Sequence, residues 1–394
     1  MRVSVGIDIA KDVHWVTAMD ERAEILLDRK LPNMPEEIDR LIEELHGLGG
    51  HRTVGIDVVG GIAALVSAML LEAGESIVHV PGLAVNRARQ GTTGGENKSD
   101  PRDARVIADQ VRTRQDLRPL KPEDEISVEL RLLVGRRRDL VAEQTRRLGR
   151  LHDLLVGIHP GLERRLDLTT KGGLYLLTRY VTPSEIRAAG KNRITRFLKT
   201  AGGLAHPERL ANTAVEAAAE QQIRLPGEAT ASRFCRELAA DALEARRRLA
   251  DLDRELQEAV HAHPDGALIL TLPGMGVTLT AEFLVEAGPL DRFRSPDALA
   301  SAAGIAPVIR QSGRTRFLRR PSGGNKGLKR VFYQSAFCSL NQSDSRAFYD
   351  RKRREGKRHH QALLSLARRR VNVLWAMLRD RTPYEPREPK AMVA

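Results

Sequence analysis

Apolar and polar side chains alternate at the start of the chain. Residues 2–10 place an apolar side chain at every second position, from Val3 to Ile9, which predicts a half-buried strand. Residues 15–19 and 24–31 are two further strand candidates. The pattern then switches between helix and strand, and the remaining predicted elements cover residues 35–48 (helix), 52–59 (strand), 62–73 (helix), 76–80 (strand) and 101–112 (helix).

This element order indicates a fold class. Three strands followed by helix, strand, helix, strand and helix is the order of a ribonuclease-H-like (RuvC-like) α/β domain. A Rossmann fold fits less well, because it alternates strand and helix from its first strand. We therefore expect an α/β domain over residues 1–118.

The pattern becomes helical after this domain, where Pro119 and Pro122 mark a linker. Apolar residues at three- and four-residue steps predict two long charged helices, at 123–158 and 230–261. We expect them to pair as an antiparallel coiled coil or a dimerising arm, although ordinary helix packing within one domain would give the same pattern.

Two shorter helices, at 194–201 and 207–220, are predicted between the long ones. The expected organisation is therefore α/β plus α. Its three domains are an α/β domain at 1–118, a coiled-coil helical domain at 119–262 and a helical C-terminal domain at 263–394.

Four acidic residues lie at special positions of the α/β domain. Asp8 and Asp57 fall inside apolar strands, where a carboxylate is costly unless it has a partner or a metal. Asp100 and Asp103 are three residues apart and share one helical face. Two strands and one helix start could bring the four together on a pair of Mg²⁺ ions, because hard divalent ions prefer oxygen ligands.

Each acid also has a plainer interpretation. Asp100 precedes Pro101 and would make a good helix N-cap, with Asp103 as its capping partner. Asp8 and Asp57 could cap turns if the strands ended one residue earlier. The two glycine-rich segments around them also resemble the phosphate loops of actin-like ATPases, but those loops lie in separate lobes and here only 49 positions separate the acids.

Positive charge is concentrated in the last fifth of the chain. Of 394 residues, 64 are Lys or Arg and 51 are Asp or Glu, which gives a net charge of +13. Residues 308–381 hold 20 of the basic and 4 of the acidic residues, and so account for the whole excess. Such a segment favours nucleic acid as a partner over a merely solvated surface. Aromatic residues make up only 4%, so base stacking is not the expected binding mode.

Hydropathy and cysteine content bear on location. No apolar run approaches the roughly 18 residues that a membrane span needs, and the N-terminus lacks the apolar block of a signal peptide. Cys235 and Cys338 are too few for a disulfide framework or a zinc site. We therefore expect a cytoplasmic protein with no membrane partner.

Two C-terminal segments carry candidate chemistry. Pro273-Gly274-Met275-Gly276 is typical of a helix-hairpin-helix turn, whose glycines let backbone amides approach a phosphate; a tight turn without a ligand is the alternative. Further on, Ser312 precedes a glycine in an arginine-rich stretch that would stabilise charge on a reacting phosphate. Ser322 is its nearest rival. The basic residues expected to bind nucleic acid are Arg310, Arg314, Arg316, Arg319, Arg320, Lys326, Lys329 and Arg330.

These segments together resemble one known family. GIDIAKD, KSDPRDA, LPGMGVTLTAE and GIAPVIRQSGR occur in the order found in transposases of the insertion-sequence one-ten family, which are bridge-RNA-guided recombinases related to the pilin-gene invertase. The resemblance covers nearly the whole chain. It implies a RuvC-like domain with an Asp-Glu-Asp-Asp metal site, and a second, transposase domain with a catalytic serine.

The resemblance also implies roles for particular residues. The metal ligands for Mg²⁺ or Mn²⁺ would be Asp8, Asp57, Asp100 and Asp103, and Ser312 would attack DNA. Asp57 departs from the family, which usually has glutamate there. The implied partners are donor and target double-stranded DNA, a noncoding bridge RNA, and further copies of the chain in a dimer or a tetramer on DNA.

Three functions follow from these observations. The first is a site-specific DNA recombinase that joins DNA through a phosphoserine. The second is a RuvC-like, Mg²⁺-dependent junction nuclease, which needs the four acids but not Ser312. The third is a non-enzymatic RNA-binding scaffold, which needs neither.

Overall fold

The structure is a computed structural model that describes residues 2–91, 97–117, 119–120, 124–319 and 321–386. The chain divides into two compact units, Met1–Glu123 and Asp124–Ala394. The first boundary lies close to the predicted division at residue 118. The further division at residue 262 stays a prediction.

The first unit is a mixed α/β structure, and apart from one additional helix its element order is the predicted one. Its elements are β1 (Arg2–Asp8), β2 (Val13–Met19), β3 (Ile25–Pro32), α1 (Pro35–Gly47), β4 (His51–Ile56), a 3₁₀ turn (Gly61–Ala63), α2 (Ala64–Glu72), β5 (Ser76–His79), α3 (Gly82–Gln90) and α4 (Asp100–Thr113). Helix α3 was not predicted, because only Val85 of its nine residues is buried and no apolar stripe marks it.

The five strands form one sheet in the order β3-β2-β1-β4-β5. Strand β2 runs antiparallel to β1 and β3, whereas β4 is parallel to both β1 and β5. The carboxyl ends of β1 and β4 therefore lie side by side at one edge of the sheet. A site built from residues that follow both strands belongs at this edge.

Strand alternation divides the side chains of β1 and β4 between two faces of the sheet. Val5, Ile7 and Ile56 point into a core that they share with α1 and α2. Gly6 and Gly55 face α4 instead. A Cβ on Gly6 would lie 2.1 Å from the Ala104 carbonyl oxygen, and one on Gly55 would lie 2.5 Å from a Val111 methyl group. Glycine at both positions therefore lets α4 lie directly against the strands.

The second unit is helical apart from one hairpin. Its described elements are α5 (Glu125–Ile158), α6 (Pro160–Glu163), α7 (Lys171–Leu177), α8 (Pro183–Thr200), α9 (Pro207–Ala219), α10 (Glu228–Ala262), α11 (Gly266–Leu270), α12 (Val277–Ala287), α13 (Pro296–Ala302), β6 (Val308–Ser312), β7 (Thr315–Arg319), α14 (Lys326–Cys338), α15 (Ser343–Arg354) and α16 (His359–Asp380).

Helices α5 and α10 are the two predicted long helices, and they pack against each other. Arg137 Nε bonds to Asp253 Oδ1 at 2.6 Å, whereas the later Gln144 bonds to the carbonyl of the earlier Ala242 at 3.2 Å. The pair is therefore antiparallel. Its coiled-coil geometry stays a prediction.

Each end of this helix pair contributes to a different core. At one end, Leu130 and Leu256 join the core of the C-terminal helices, where the Phe283 and Phe332 rings meet edge to face at 5.8 Å. At the other end, side chains such as Leu155 join the core of α6 to α9. Among the described residues, no helix is long and apolar enough to cross a membrane.

Candidate functional site

The first candidate site lies where β1 and β4 end. Asp8 is the last residue of β1, and Asp57 follows Ile56, the last residue of β4. The sequence placed Asp57 inside a strand, but β4 stops earlier, before a turn in which Gly60 and Gly61 have positive φ angles. By the alternation of the strands, both acids are on the face that α4 covers.

A hydrogen bond connects the two strand ends. The Ile9 backbone N–H donates to Asp57 Oδ1 at 3.3 Å. His79, the last residue of β5, places Nε2 3.2 Å from the Asp57 carbonyl oxygen. The Asp57 side chain thus bonds to the neighbouring strand.

Helix α4 supplies the other two acids at its first turn. Ser99 is the N-cap residue and its side chain makes no capping hydrogen bond; Asp100 is the first helical residue and is exposed. Asp103 is buried, and its N–H bonds to the Ser99 carbonyl oxygen. The predicted alternative of an Asp100 N-cap with Asp103 as its partner is therefore wrong. The helix begins one residue earlier than that alternative assumed.

The other three carboxylates act electrostatically on Asp8. Burial raises the pKa of Asp8 to about 7, and the other carboxylates add to the shift in the order Asp57, Asp103 and Asp100. Burial also raises the pKa of Asp57, which the Ile9 hydrogen bond opposes. A bound cation would favour the ionised forms of Asp8 and Asp57.

The donor chemistry therefore fits a divalent ion, because the side chains of the site offer carboxylate oxygens, the ligands that hard cations prefer. Within the described part of the chain, however, no three His, Cys, Asp or Glu side chains are grouped closely enough to hold a metal ion. Both oxygens of Asp103 accept a hydrogen bond from Arg89 Nη1, at 2.8 and 2.9 Å. Sequence reasoning missed Arg89, because it lies on the unpredicted helix α3.

The second candidate site is the hairpin of β6 and β7. Ser312 is the last residue of β6 and pairs with Thr315, the first residue of β7. Between them Gly313 has φ of 53° at the first turn position, as a type II′ hairpin turn requires. All ten strand residues are exposed. Ser312 is therefore accessible at the tip of a two-stranded ribbon.

The base of the ribbon is closed by tight backbone packing. A Cβ on Gly304 would lie 2.6 Å from the Gly323 carbonyl oxygen, and the Asn325 N–H donates to the Ala302 carbonyl at 2.7 Å. The rival Ser322 lies at this base, also exposed. The segments before and after the ribbon therefore contact each other where they join the helical core.

The predicted arginines are distributed over the two faces and the turn of the ribbon. The pairs Arg310–Phe317 and Val308–Arg319 lie on the same face as the Ser312–Thr315 pair, because side chains alternate along each strand. Arg316 pairs with Gln311 on the opposite face. Arg314 lies in the turn, and Arg320 lies outside the described residues.

The basic residues after the ribbon differ in what they contact. Lys326 is exposed at the first position of α14, and Lys329 is half-buried one turn on. Arg330 forms an ion pair with Glu282, a buried acid of α12 that also lies 3.8 Å from Arg138. Part of the charge of Arg330 is therefore balanced within the protein.

In the Pro-Gly-Met-Gly turn, packing within the protein itself explains the glycine at position 274. Gly274 has φ of 81°, and a Cβ there would lie 2.6 Å from the Ser335 carbonyl oxygen. Arg370, a buried residue of α16, bonds to both Ser335 Oγ and the Pro273 carbonyl oxygen. Gly274 thus approaches the protein's own backbone. Gly276 is exposed, with no atom within 4 Å of a Cβ, and precedes α12.

Comparison with known proteins identifies the class of the protein. Residues 5–160 match a family model described as a transposase, and residues 266–350 match the model of the transposase IS116/IS110/IS902 family. A 44.8 kDa protein of insertion element IS116 from Streptomyces clavuligerus is 42% identical over 100% of this chain and 98% of its own length. A 42 kDa protein of insertion element IS900 from Mycobacterium paratuberculosis is 41% identical over 98% and 97%.

The protein is thus a DNA transposase, an enzyme of DNA recombination. It belongs to the IS116/IS110/IS902 family of insertion-element transposases. Among solved structures, Thermus thermophilus RuvC in complex with a Holliday junction substrate covers 30% of this chain and 100% of its own, with 18% identity and a TM-score of 0.25. A score of that size supports no argument about this chain.

Proposed function

We propose that this transposase cuts and rejoins DNA through a phosphoserine at Ser312. The Ser312 oxygen would attack a phosphodiester phosphorus, form a serine–phosphate bond and release one DNA end as a free hydroxyl. The serine proton leaves and the released oxygen gains one. Attack by the hydroxyl of another DNA end then reverses the step, so the phosphate bond is kept and no ATP is needed.

The observation that carries this proposal is the placement of Ser312 on the exposed ribbon. Arg310 is on its face, two residues away along β6, where its guanidinium group would stabilise the charge that develops on a phosphate under attack, and Arg319 extends the positive charge of this face toward the base of the ribbon. A two-stranded ribbon also fits the major groove of duplex DNA. Donor and target double-stranded DNA are the proposed substrates.

We propose that Asp8, Asp57, Asp100 and Asp103 hold Mg²⁺ or Mn²⁺ in a ribonuclease-H-like domain. The strand order of the sheet and the electrostatic effect of the other three carboxylates on Asp8 support this assignment. A bound divalent ion would neutralise charge on the reacting oxygens. At position 57 the aspartate is one methylene group shorter than the glutamate usual in the family.

We also propose that a noncoding bridge RNA supplies the choice of sequence and that the protein acts as a dimer or a tetramer on DNA. The protein would then read phosphates and duplex shape, which suits a chain rich in arginine and poor in aromatic residues. Sequencing the RNA that copurifies with the protein tests this directly. A preparation that recombines DNA after complete removal of RNA would contradict it.

The test of the phosphoserine is covalent capture. Ser312→Ala should keep DNA binding but lose both the protein–DNA adduct and recombination, by about a thousandfold or more, because no other group replaces the nucleophile. Ser322→Ala, at the base of the same ribbon, is the matched control and should remain active. The measurement is incubation with a nicked suicide substrate, followed by mass spectrometry of the crosslinked peptide.

The outcome also separates the competing functions. A nucleotide attached to another residue, or recombination by Ser312→Ala, would show the assignment to be wrong. Cleavage that needs Asp8 but leaves no adduct would indicate a metal nuclease with water as nucleophile. Nucleic-acid binding without cleavage in any arm would indicate a scaffold.

A further inference from the structure

The ribbon of β6 and β7 exposes all of its apolar side chains. Val308, Ile309, Phe317 and Leu318 are between 45% and 68% exposed. A two-stranded ribbon is only marginally stable by itself, and it gains stability when something covers its apolar residues. Phe317 carries the largest apolar side chain of the four. Its ring is therefore available to a partner.

Strand pairing places Phe317 close to the two groups proposed to act on a phosphate. It pairs directly with Arg310, and the next pair on the same face toward the tip is Ser312–Thr315. Ser312 is thus the diagonal neighbour of Phe317, at about 7–8 Å between Cα atoms, a separation that an aromatic side chain still spans. A hydroxyl, a guanidinium and an aromatic ring therefore share one small area of the ribbon.

The charge of the ribbon indicates which partner fits it. Residues 308–319 contain four arginines and no acidic residue. A protein surface that covered Phe317 would have to bring acidic residues to balance these charges. A DNA strand brings a phosphate next to every base, and each base offers a flat π face on which an aromatic ring can stack. DNA therefore matches both the apolar ring and the positive charge around it.

We propose that Phe317 stacks on the nucleobase next to the phosphate that Ser312 attacks. The ligand is an unpaired or unstacked base, because neighbouring bases cover both faces of a base inside a regular duplex. The ring holds this base aside and so fixes the adjoining phosphate against Ser312 and Arg310. It is a single contact, which agrees with an aromatic content of only 4%. The inference rests on the proposed role of Ser312, whose failure the experiments below detect separately.

Photocrosslinking of the full-length protein tests the contact itself. The nicked suicide substrate carries 5-iodouracil at one position at a time, on either side of the phosphate to be cut. Irradiation couples the iodinated base to an aromatic ring stacked on it, and mass spectrometry of the crosslinked peptide identifies the residue. We expect a crosslink to Phe317 from a base adjoining that phosphate and not from more distant bases. Crosslinks to other residues alone would overturn the proposal.

A series of variants separates stacking from packing. Phe317→Ala should slow formation of the protein–DNA adduct by about tenfold or more, the loss expected for one stacked base. Phe317→Tyr keeps the ring and should stay close to wild type, whereas Phe317→Leu keeps apolar volume without a π face and should resemble the alanine variant. Full activity of Phe317→Leu would show that the residue only packs, and the proposal would be wrong.

The matched control is Leu318→Ala. Leu318 is an exposed apolar neighbour in the same strand, but it pairs with Ile309 on the opposite face of the ribbon. Its substitution removes a similar apolar area without removing the ring beside Ser312. Leu318→Ala should therefore form the adduct at the wild-type rate. A loss equal to that of Phe317→Ala would mean that the ribbon needs apolar residues on both faces, and it would overturn the specific role of Phe317.

Removal of the base is a change to which a purely structural residue would not respond. Wild type should lose about tenfold in adduct formation on a substrate with an abasic site at the crosslinked position. Phe317→Ala should lose little more on that substrate, because the two changes remove the same contact. An abasic site at a more distant position is the control. Independent, additive losses from the two changes would contradict the stacking.

Two further measurements separate the base contact from other contacts of the ribbon. Phe317→Ala should leave the slope of log affinity against log salt at its wild-type value, since the ring contacts no phosphate. It should also leave the sedimentation of the DNA-free protein unchanged. A change in sedimentation would identify a second copy of the chain as the partner of Phe317 and overturn the proposal.

The same data distinguish failure of the inference from failure of the proposed nucleophile. An adduct on a residue other than Ser312, with the Phe317 crosslink retained, would show that the nucleophile is wrong and that the base contact is right. An adduct on Ser312 without a crosslink to Phe317 would show the reverse.

Discussion

At the residue scale, the behaviour of Asp8 depends on its neighbours more than on its own type. An isolated aspartate is ionised at neutral pH, but burial and three further carboxylates raise the pKa of Asp8 to about 7. The folded protein therefore binds this proton more tightly than the unfolded chain does. The site is poised to gain either a proton or a cation.

This shift predicts how stability depends on pH. A carboxylate with a raised pKa stabilises the folded state fully at low pH, and that contribution is lost as the pH rises from about 4 through about 7. Asp8→Asn should therefore melt above wild type in EDTA at pH 8, and the difference should shrink as the pH falls toward 4. Calorimetry across this pH range is the measurement.

The control for this prediction is Asp39→Asn, which changes an exposed aspartate of α1. It should follow wild type at every pH. If Asp8→Asn also followed wild type, the acids would not be crowded in solution. The affinity for a metal ion should have the opposite pH dependence, because ion binding requires deprotonated carboxylates. It should increase as the pH rises through about 7.

At the element scale, the position of α4 decides whether Asp103 reaches the strand ends. The helix approaches β1 at Gly6, where a Cβ would lie 2.1 Å from the Ala104 carbonyl oxygen. Such a contact is with backbone, which cannot rotate out of the way. Gly6 therefore helps to place Asp103 near the strand ends, because Ala104, which packs against Gly6, directly follows Asp103.

Gly6→Ala should therefore reduce both stability and activity. We expect a loss of about 1–3 kcal/mol in the free energy of unfolding, as for other overpacked cores, and a loss of recombination larger than the stability change explains. Urea unfolding and a recombination assay measure the two effects. Gly47→Ala, in the last turn of α1 with nothing within 4 Å of a Cβ, should lower neither stability nor activity, because alanine favours a helix more than glycine does. A fully active Gly6→Ala would show that α4 need not lie so close.

The basic elements of the second unit are not equivalent either. On α15, Arg351 and Lys352 both pair with Glu355 and both lie over the Phe348 ring. On the ribbon, Arg310 and Arg319 lie on the same face as the Ser312–Thr315 pair, with no acid in either strand. The positive charge of the ribbon is therefore less balanced by acidic residues than that of α15, although the sequence shows a longer basic run on the helix.

At the scale of the whole molecule, DNA affinity should depend steeply on salt. The net charge of +13 is concentrated in residues 308–381, so counterions released from DNA phosphates should drive binding. Replacing Arg310 and Arg319 together with alanine should flatten the slope of log affinity against log salt by about 0.9 for each lost contact. Fluorescence anisotropy between 50 and 300 mM salt, as a rough working range, would measure it.

A suitable control is the double variant of Arg247 and Arg248. These arginines of α10 are paired with Glu244 and lie outside the basic segment. Their replacement by alanine should leave the slope unchanged. An unaltered slope in the ribbon variant would mean that these two arginines make no phosphate contacts.

Local patterns determined most of the elements. Strand alternation predicted β1, and the three- and four-residue steps predicted α5 and α10 to within a few residues, because these elements bury a regular stripe of side chains. Family motifs and the excess of arginine indicated the class of enzyme. Helix α3 carried no such signal, since its burial depends on packing against α4 and not on its own periodicity.

Only the tertiary structure decided what surrounds each candidate residue. The sequence alone allows Asp103 to be interpreted as a capping residue. The fold buries it near Asp8 and pairs it with Arg89. Strand pairing placed Arg310 beside Ser312 and sent Arg316 to the opposite face. Contacts between residues far apart in sequence depend on how elements pack, and no local pattern encodes that packing. The sequence therefore determines which chemical groups are available to both sites, whereas the fold determines which partners those side chains have.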